Sequence, residues 1–420
     1  MKIIFQVTEK IKPFLIKIIP ISLLRSIKKS LVNSSMKKLA KKSPPVSFNR
    51  QQNQDGVNLI GYIQGEIGLG QSCRLVAKGL EVAEVNFTIY NYNQISAVRM
   101  NDNSWVSKIT NTTPFNINII HINPYELPLA YMRLGRQVWD SRYNIVYWLW
   151  ELEVFPKEWE NALFLADEIW TPSEFASESI RKITDKPVYT IPYALDKPKT
   201  GAFTRKHFNL PENMTLIMCM YDCNSTMERK NPMGALDAYK IAFQENNENN
   251  VGLVIKMNNP EQKDIDEIKM KLKGLSNIFF LTGVYEKEKV NSLISIVDIY
   301  ISLHRAEGFG LVPAEAMKLG TPVIATNWSS NTEFMNSEVA CMVDYELVNI
   351  TKTYGPYKPG NRWAEPDLNQ AAIYMKELVQ CEEKRKEIAE KAKLFIDKHL
   401  APEKAANQIK NRINEIYASH

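Results

Sequence analysis

The sequence predicts an α/β protein built from two doubly wound parallel sheets. Short apolar segments rich in β-branched residues alternate with helical segments along most of the 420 residues, as in parallel sheets whose two faces are covered by helices. The chain is longer than one hydrophobic core usually supports, so two domains are expected. Its 45% apolar and 24% charged residues are ordinary for a globular protein.

The first 45 residues are predicted to be a basic tail. Residues 1–42 contain eleven Lys or Arg and one acid, whereas the whole chain has a net charge of +5, so residues 43–420 carry −5. Over residues 21–31, apolar side chains fall on one helical face and basic ones on another. Such a helix suits an anionic membrane surface, and its apolar run is too short and too charged to span a bilayer. A solvated, disordered tail is the alternative.

The first domain is predicted over residues 46–197. A strand at 57–63 leads into a glycine-rich segment and a helix from Cys73 to Ala83. A glycine-rich turn before a helix can hold an anion or let a substrate approach the backbone, which makes Gly68 and Gly70 candidates, although such loops are often only tight turns. Further strands are predicted at 86–91, 116–122, 143–150, 168–172 and 188–191, with helices at 157–166 and 174–183.

The second domain is predicted over residues 198–397 and repeats the pattern. Its strands are predicted at 215–221, 251–257, 278–283, 298–304 and 322–326, and its helices at 232–244, 264–273 and 286–297. A charged helical stretch at 382–417 ends the chain.

The segment from Glu307 to Glu315 is the most informative motif. It joins a buried strand to a helix that Pro313 is predicted to open and Gly320 to close, so it lies in a βαβ unit, whose ligands bind beyond the carboxyl ends of the strands. A carboxylate can accept hydrogen bonds from the two hydroxyls of a ribose, and the amides of Phe309, Gly310 and Leu311 can face a phosphate or sugar. Alternatively, Glu315 satisfies free amides at its helix start and Glu307 is a solvated loop residue.

Two adjacent cations, Arg229 and Lys230, precede Pro232 at a predicted helix start. Free amides and the helix dipole favour anions at such a position. The pair is therefore a candidate phosphate site, with a solvated loop as the alternative.

A Glu-x7-Glu pair in the second of two Rossmann-like domains resembles the retaining glycosyltransferases of family four, which have the GT-B fold, over roughly residues 57–400. The resemblance implies two domains facing a cleft, with a C-terminal helix at 398–420 returning to the first. It further implies that Glu315 binds the donor's ribose and that Glu307 lies against the transferred sugar. The resemblance also implies that Arg229 and Lys230 replace a metal, since members of the family usually need none; no metal and no cofactor are expected beside the nucleotide sugar.

Three weaker assignments follow from the same resemblance. His121 ends a first-domain strand where the family places a histidine against the donor sugar, although a structural histidine is equally expected. Tyr285 is a neighbour of the nucleotide base. The sequence departs from the family where many relatives carry a His-Asp pair, since Trp148, Trp150, Glu151 and Glu153 stand there. Glu151 is expected to take the polar role, and the tryptophans are expected to stack on an acceptor sugar. No chemical role is predicted for the aromatic-rich segment 355–366.

The expected function is transfer of a hexose, with retention of configuration, from a nucleotide sugar to a polysaccharide or lipid-linked acceptor of a bacterial cell envelope. GDP-mannose is favoured over UDP- or dTDP-sugars by family analogy alone. A sugar-nucleotide epimerase and a non-catalytic carbohydrate-binding relative are the alternatives. Nucleic acid is not an expected partner, because no basic aromatic patch recurs in the body. The five scattered cysteines favour a reducing cytoplasm, with the tail at the inner face of the plasma membrane.

Overall fold

The computed structural model describes residues 44–93, 99–244 and 250–420, together with the single positions Ser34 and Lys41. The predicted amphipathic helix at 21–31, and nearly all of the tail at 1–45, lie outside the described residues. Among the residues that are described, no helix has the length and apolar character needed to cross a bilayer.

The first domain contains a sheet of six parallel strands among its described residues, in the order β2-β1-β3-β4-β5-β6. The order reverses at β1, which pairs with β2 on one side and β3 on the other. The strands are β1 (Gln54–Gly61), β2 (Phe87–Asn91), β3 (Phe115–His121), β4 (Tyr143–Tyr147), β5 (Glu168–Thr171) and β6 (Val188–Thr190).

The second domain has a sheet of the same size in the described part of the chain. Its order is β12-β11-β10-β7-β8-β9, with the reversal at β7, which pairs with β8 and β10. The strands are β7 (Thr215–Asp222), β8 (Val251–Asn258), β9 (Ile278–Leu281), β10 (Ile299–Ser302), β11 (Val323–Thr326) and β12 (Cys341–Val343). In both domains the reversal creates a crevice beyond the strand ends, where ligands of open α/β sheets bind.

Helices connect the strands of both sheets. Every residue of β3 and β4 is buried, as expected for parallel strands covered on both faces. The helices up to residue 380 are α1 (Gly68–Val82), α2 (Leu127–Leu134), α3 (Glu174–Arg181), α4 (Met227–Lys230), α5 (Pro232–Phe243), α6 (Gln262–Lys271), α7 (Lys287–Ile296), α8 (Leu311–Leu319) and α9 (Leu368–Gln380).

The C-terminal segment crosses back to the first domain, as the predicted fold class requires. It comprises two helices, α10 (Glu382–His399) and α11 (Pro402–Ser419), rather than the single predicted stretch, because Pro402 lacks an amide proton and starts a new helix. Arg412 of α11 donates to the fully buried carboxylate of Glu168, with the shortest bond 2.6 Å long. This buried ion pair fixes α11 against the first sheet.

An antiparallel hairpin, which the sequence did not predict, stands apart from both main sheets. Its strands are β13 (Tyr345–Asn349) and β14 (Arg362–Pro366). We refer to residues 345–366 as the arm. The arm includes the aromatic-rich segment 355–366, for which no chemical role was predicted.

Two helix predictions in the first domain were wrong in extent or type. Helix α1 begins at Gly68, five residues before the predicted start, because Gly68 and Gly70 belong to its first turn instead of to a loop. The predicted helix at 157–166 is a 3-10 helix over Lys157–Leu165.

Candidate functional site

The crevice of the second domain is formed by the loops that follow β7 and β10. Two hydrogen bonds join these loops. The backbone amide of Arg305 donates to Arg229 O at 2.7 Å, and the side chain of Asn231 donates to Leu303 O at 2.8 Å. Asn231 has a positive φ of 49° between α4 and α5, where asparagine is tolerated well. The turn therefore sets Arg229 and Lys230 beside the strand end that leads to Glu307.

The carboxylate of Glu307 is held between these two cations. Its Oε1 lies 2.5 Å from Lys230 Nζ, and its Oε2 lies 3.2 Å from a guanidinium nitrogen of Arg229. Arg229 also donates to the carbonyl of Ala306 at 2.7 Å. Arg229 and Glu307 are buried, and Lys230 is partly exposed. Three residues that the sequence predicted as site residues are thus in direct contact.

The cations change the ionisation of Glu307. Burial by itself raises the pKa of Glu307, but the charges of Lys230 and Arg229 outweigh it and lower the pKa to about 2. Burial lowers the pKa of Lys230, and the attraction of Glu307 offsets only part of that change. Burial also acts to lower the pKa of Arg229, but Tyr357 and Glu307 raise it overall. At neutral pH the cluster therefore contains a carboxylate and a guanidinium whose charges are firmly held.

The first domain adds a second carboxylate to this cluster. Glu151, which follows β4, has its Oε1 3.9 Å from a guanidinium nitrogen of Arg229. We refer to Glu151, Arg229, Lys230 and Glu307 as the charged cluster. Among the described residues, Arg229 Nε is buried without a hydrogen-bond partner. A buried donor without a partner costs free energy, and protein atoms cover this nitrogen.

Glu315 lies in α8 and is almost fully buried. Its Oε2 is 2.6 Å from the ammonium of Lys287, at the start of α7. The sequence suggested that Pro313 opens this helix and that Glu315 stands near its third position; α8 instead begins at Leu311, so Pro313 is its third residue and Glu315 its fifth. Glu315 is therefore paired with a lysine and does not cap the helix.

The start of α8 is open to a ligand. Gly310 precedes the helix with a positive φ of 95°, and the first backbone bond runs from Ala314 N to Gly310 O at 3.1 Å. The amides of Leu311 and Val312 consequently lack a partner inside the helix. The ring of Phe309 is buried against Tyr193, with ring centroids 4.7 Å apart, so of this residue only the backbone can face a ligand.

Tyr285 follows β9 at the same edge of the second sheet. Its ring lies under two ammonium groups, those of Lys289 at 4.5 Å and of Lys256 at 4.7 Å from the centroid. Lys256 is fully buried, and burial lowers its pKa to about 8. It donates to Gly283 O at 2.7 Å, which fixes the loop that carries Tyr285.

His121 ends β3 in the crevice of the first domain, and it is fully buried. Its Nε2 is 2.6 Å from Ser72 Oγ, which in turn lies 2.5 Å from the hydroxyl of Tyr193. The imidazole is stacked on Tyr147 at a centroid distance of 5.0 Å, and burial lowers its pKa to about 4. His121 is therefore neutral and packed inside the domain.

The two predicted loop glycines have different surroundings. A Cβ added to Gly70 would overlap the carbonyl oxygen of Gly65, whereas a Cβ on Gly68 would meet nothing within 4 Å. Gly70 is thus required for the packing of α1 on the preceding loop. Gly68 faces open space, where a substrate can approach the backbone.

The expectation that Trp148 and Trp150 stack on an acceptor sugar was wrong, because both side chains are in the core, with exposures of 0% and 1%. The local sequence does not distinguish an aromatic side chain in the core from one that faces the crevice. The sequence missed two contacts of the site altogether: Lys287, which pairs with Glu315, and Tyr357, whose ring centroid lies 5.8 Å from the Arg229 guanidinium. No local signal marks either contact, since each joins segments far apart in the sequence. In the described part of the chain, no three His, Cys, Asp or Glu residues are arranged to hold a metal ion.

The family model described as "Glycosyl transferases group 1" matches residues 223–395 of this chain. The match contains Arg229, Lys230, Glu307 and Glu315, and it covers most of the second domain. A search of the curated proteins found no match.

Solved structures resemble the whole two-domain body. HepE from Anabaena, in complex with UDP and glucose, is 14% identical, and the match covers 86% of this chain and 100% of HepE with a TM-score of 0.60. Sucrose-phosphate synthase from Thermosynechococcus elongatus is 13% identical over 87% of this chain and 100% of its own, with a TM-score of 0.62. A glycosyltransferase from Rickettsia africae is 13% identical over 87% of this chain and 99% of its own, with a TM-score of 0.60. The GT-B fold is thereby confirmed, while the narrower resemblance to family four stays a prediction.

Proposed function

We propose that this protein is a glycosyltransferase that moves a glycosyl group from a nucleoside diphosphate sugar to an acceptor hydroxyl. The observation that carries the proposal is the convergence of Arg229 and Lys230 on Glu307 beside the open start of α8. A diphosphate needs cations and amide donors, and both types of group meet at the crevice of the second sheet. The match to group 1 glycosyl transferases over residues 223–395 supports the same chemistry.

In this proposal, the two cations of the charged cluster, Arg229 and Lys230, stabilise the leaving group. Negative charge grows on the diphosphate as the glycosidic bond breaks, and groups already oriented toward that charge typically contribute about 3–4 kcal/mol each. Lys230 is partly exposed, and the buried Arg229 adds its positive charge beside it. Glu307 keeps both cations in place and offers carboxylate oxygens to the hydroxyls of the transferred sugar.

Glu315 and Tyr285 are assigned to the nucleoside. Glu315 has one oxygen committed to Lys287, which leaves its other oxygen to accept a hydrogen bond from a ribose hydroxyl. Tyr285 presents an aromatic ring at the same edge of the sheet, where a base can stack. The amides of Leu311 and Val312 complete the donor site at the start of α8.

Three finer features belong to the same proposal. The transferred group is a hexose, its anomeric configuration is retained, and the acceptor is a glycan or a lipid-linked sugar. HepE has been crystallised with UDP-glucose. UDP-sugars are therefore candidate donors in addition to GDP-mannose, which family analogy favours. No metal is required, because Arg229 and Lys230 supply the positive charge, and EDTA should leave turnover unchanged.

A donor panel tests the proposal. The full chain is incubated with UDP-glucose, UDP-N-acetylglucosamine, GDP-mannose and dTDP-glucose, with and without lipid and glycan extracts as acceptors. We expect one donor to release its nucleoside diphosphate, faster with the right acceptor, and mass analysis to find the glycosylated product. A nucleotide sugar that is epimerised without release of nucleoside diphosphate would establish the epimerase instead. Failure of every donor to bind in calorimetry would overturn both.

The basic tail is proposed to hold the enzyme at an anionic membrane surface on its cytoplasmic side. Residues 1–42 carry a net charge of +10, and each basic residue near such a surface contributes at most about 1 kcal/mol. Sedimentation with phosphatidylserine vesicles compares the full chain with a form lacking residues 1–45, at low and high salt. We expect salt-sensitive binding of the full chain alone; equal partitioning of the two forms would contradict the proposal.

A further inference from the structure

The loop at 307–310 leads into α8, and we refer to it as the donor loop. Two serines of its own domain hold its first residue. The amide of Glu307 donates to Ser329 Oγ, and the carbonyl of Glu307 accepts a hydrogen bond from Ser330 Oγ, each at 2.8 Å. Ser329 has a positive φ of 74°, a conformation that costs free energy for any residue except glycine and is kept where surrounding contacts require it. These contacts fix the peptide groups on both sides of Glu307.

The next peptide group of the donor loop is held by the first domain. Ser173 lies directly before α3 and is fully buried. Its hydroxyl donates to the carbonyl of Gly308 at 3.0 Å. The peptide group between Gly308 and Phe309 is trans and planar, so its carbonyl and its N–H point in opposite directions. Ser173 therefore also sets the direction of the Phe309 amide.

The position of Ser173 is fixed in turn by a contact between the domains. Ser173 is the N-cap of α3, and its Oγ accepts a hydrogen bond from the amide of Ala176 at 3.3 Å. The amides of Glu174 and Phe175 donate to the carboxylate of Glu333 in the second domain, at 3.0 and 2.9 Å. Amides in the first turn of a helix have no partner inside the helix, and the helix dipole favours a carboxylate there. Glu333 thus docks the start of α3 on the second domain.

The two domains meet the donor loop at one pair of buried serines. The hydroxyl oxygens of Ser173 and Ser330 lie 2.9 Å apart, and both side chains are fully buried. Each hydroxyl donates to a carbonyl of the donor loop. Gly308 is itself buried, and a buried carbonyl that loses its donor costs free energy. The conformation of the donor loop therefore depends on the hydroxyl of Ser173.

We propose that Ser173 of the first domain is a positioning residue of the donor site, whose hydroxyl orients the peptide group between Gly308 and Phe309. The bonds from α3 to Glu333 keep it in place. This inference deepens the proposed function and rests on it, because the donor loop leads directly to the α8 amides that are assigned to the donor. Donor affinity then depends on a contact between the domains, and a bound donor strengthens that contact by the same factor.

Calorimetric titration with UDP and with GDP, combined with hydrogen–deuterium exchange, tests the inference on the full chain. Ser173→Ala removes the hydroxyl, and we expect it to weaken the nucleoside diphosphate that binds the wild type by about fivefold, the factor for one neutral hydrogen bond. In the same variant without ligand, amide exchange over residues 307–312 should become faster, because the loop opens more easily. A serine that only caps α3 would change exchange in α3 and leave the donor loop as it is in the wild type.

Ser179→Ala is the matched control. Ser179 is a buried serine of the same helix, and its hydroxyl donates to the carbonyl of Ala176 within α3. This variant should exchange faster in α3 alone and bind the nucleoside diphosphate as the wild type does.

Glu333→Gln tests the same contact without altering a buried position, because Glu333 is exposed. It should weaken binding less than Ser173→Ala does. The double variant should bind no more weakly than Ser173→Ala alone, since the two residues act through one contact and their effects are not additive.

Three results overturn the inference and leave the proposed function standing. They are wild-type affinity in both Ser173→Ala and Glu333→Gln, an equal loss of affinity in Ser179→Ala, and donor-loop exchange that is unchanged in Ser173→Ala. A wild type that binds neither UDP nor GDP removes the proposed function first, and this role of Ser173 with it.

Discussion

The two domains present the same topological feature, a reversal of strand order, and fill it with different chemistry. At the crevice of the first sheet, the uncharged groups of His121, Ser72 and Tyr193 form a buried hydrogen-bonded chain with distances of 2.6 and 2.5 Å, and His121 Nδ1 has no partner among the described residues. At the crevice of the second sheet, by contrast, the groups are charged: the two cations Arg229 and Lys230 share the carboxylate of Glu307. The two crevices share their topology and differ in residue chemistry, and the charged one is the proposed anion site.

The same contrast divides the predicted site residues into those that pack in a domain core and those that are proposed to act on a ligand. His121 is held neutral and stacked on Tyr147, so it contributes to the core of its domain. Lys230 is partly exposed, and Arg229 beside it is a buried cation. We therefore expect substitutions in the first crevice to affect folding and substitutions in the second crevice to affect turnover.

The largest expected effect is on turnover in the second crevice. Lys230→Ala should reduce kcat roughly 100- to 1,000-fold, because charge on the diphosphate grows as the bond breaks. His121→Gln should reduce kcat by less than about tenfold, because His121 is neutral and lies within the core. Lys263→Ala, on the exposed surface of the same domain, is the matched control and should equal wild type. Steady-state kinetics with the donor found in the panel measure all three; comparable losses for His121→Gln and Lys230→Ala would break the comparison.

The second effect is on stability as a function of pH. The folded pKa of Glu307 is about 2 against an ordinary 4.5, so its contribution is present above pH 4.5 and is lost as the pH falls toward 2. The folded pKa of His121 is about 4 against an ordinary 6.5, so stability is lost as the pH falls from 6.5 to 4, because the unfolded chain binds the proton first. Each shift corresponds to about 3 kcal/mol.

Urea unfolding at a series of pH values distinguishes the two crevices. His121→Gln should flatten the pH dependence of the unfolding free energy between pH 6.5 and 4, and Glu307→Gln should flatten it between 4.5 and 2. Unchanged slopes in either variant would show that the corresponding group is not shifted in the folded state.

The third effect concerns donor affinity. Glu315→Ala removes the proposed acceptor for the ribose and should weaken donor binding by about 1.5–3 kcal/mol, the range for hydrogen bonds to charged groups. Lys287→Met keeps the carboxylate and removes its partner, so it should weaken binding less. Calorimetry with the true donor measures both, and an affinity that survives Glu315→Ala would exclude the ribose assignment.

The sequence was sufficient to predict the elements in which local patterns agree. The alternation of buried strands and helices gave the two α/β sheets, and Gly320 ends α8 with a φ of 81°, as its position after an apolar helix suggested. The adjacency of Arg229 and Lys230 to a helix start was likewise visible, because the signal lies within four residues.

Contacts between distant segments could not be predicted in this way. The pairing of Glu315 with Lys287, and the approach of Tyr357 to Arg229, depend on how two loops or two domains meet. The burial of Trp148 and Trp150 was missed for a related reason: an aromatic residue after a strand has the same local signal whether it faces the core or the crevice. The start of α1 was predicted too late, because the sequence does not distinguish a glycine in the first turn of a helix from a glycine in a loop.

The smallest expected effect uses the two glycines at the first crevice. Gly70→Ala should destabilise the fold by about 1–3 kcal/mol, because the new methyl group overlaps the loop carbonyl of Gly65. Gly68→Ala has open space around its Cβ and should stabilise the fold by about 0.4–1 kcal/mol through the unfolded state. Urea unfolding gives both values.

Calorimetry with the donor tests whether the first crevice also takes part in donor binding. It does so if Gly68→Ala folds normally yet binds the donor more than about tenfold more weakly, because packing alone does not explain a loss of that size. The assignment of the anion to the second domain alone would then have to be abandoned.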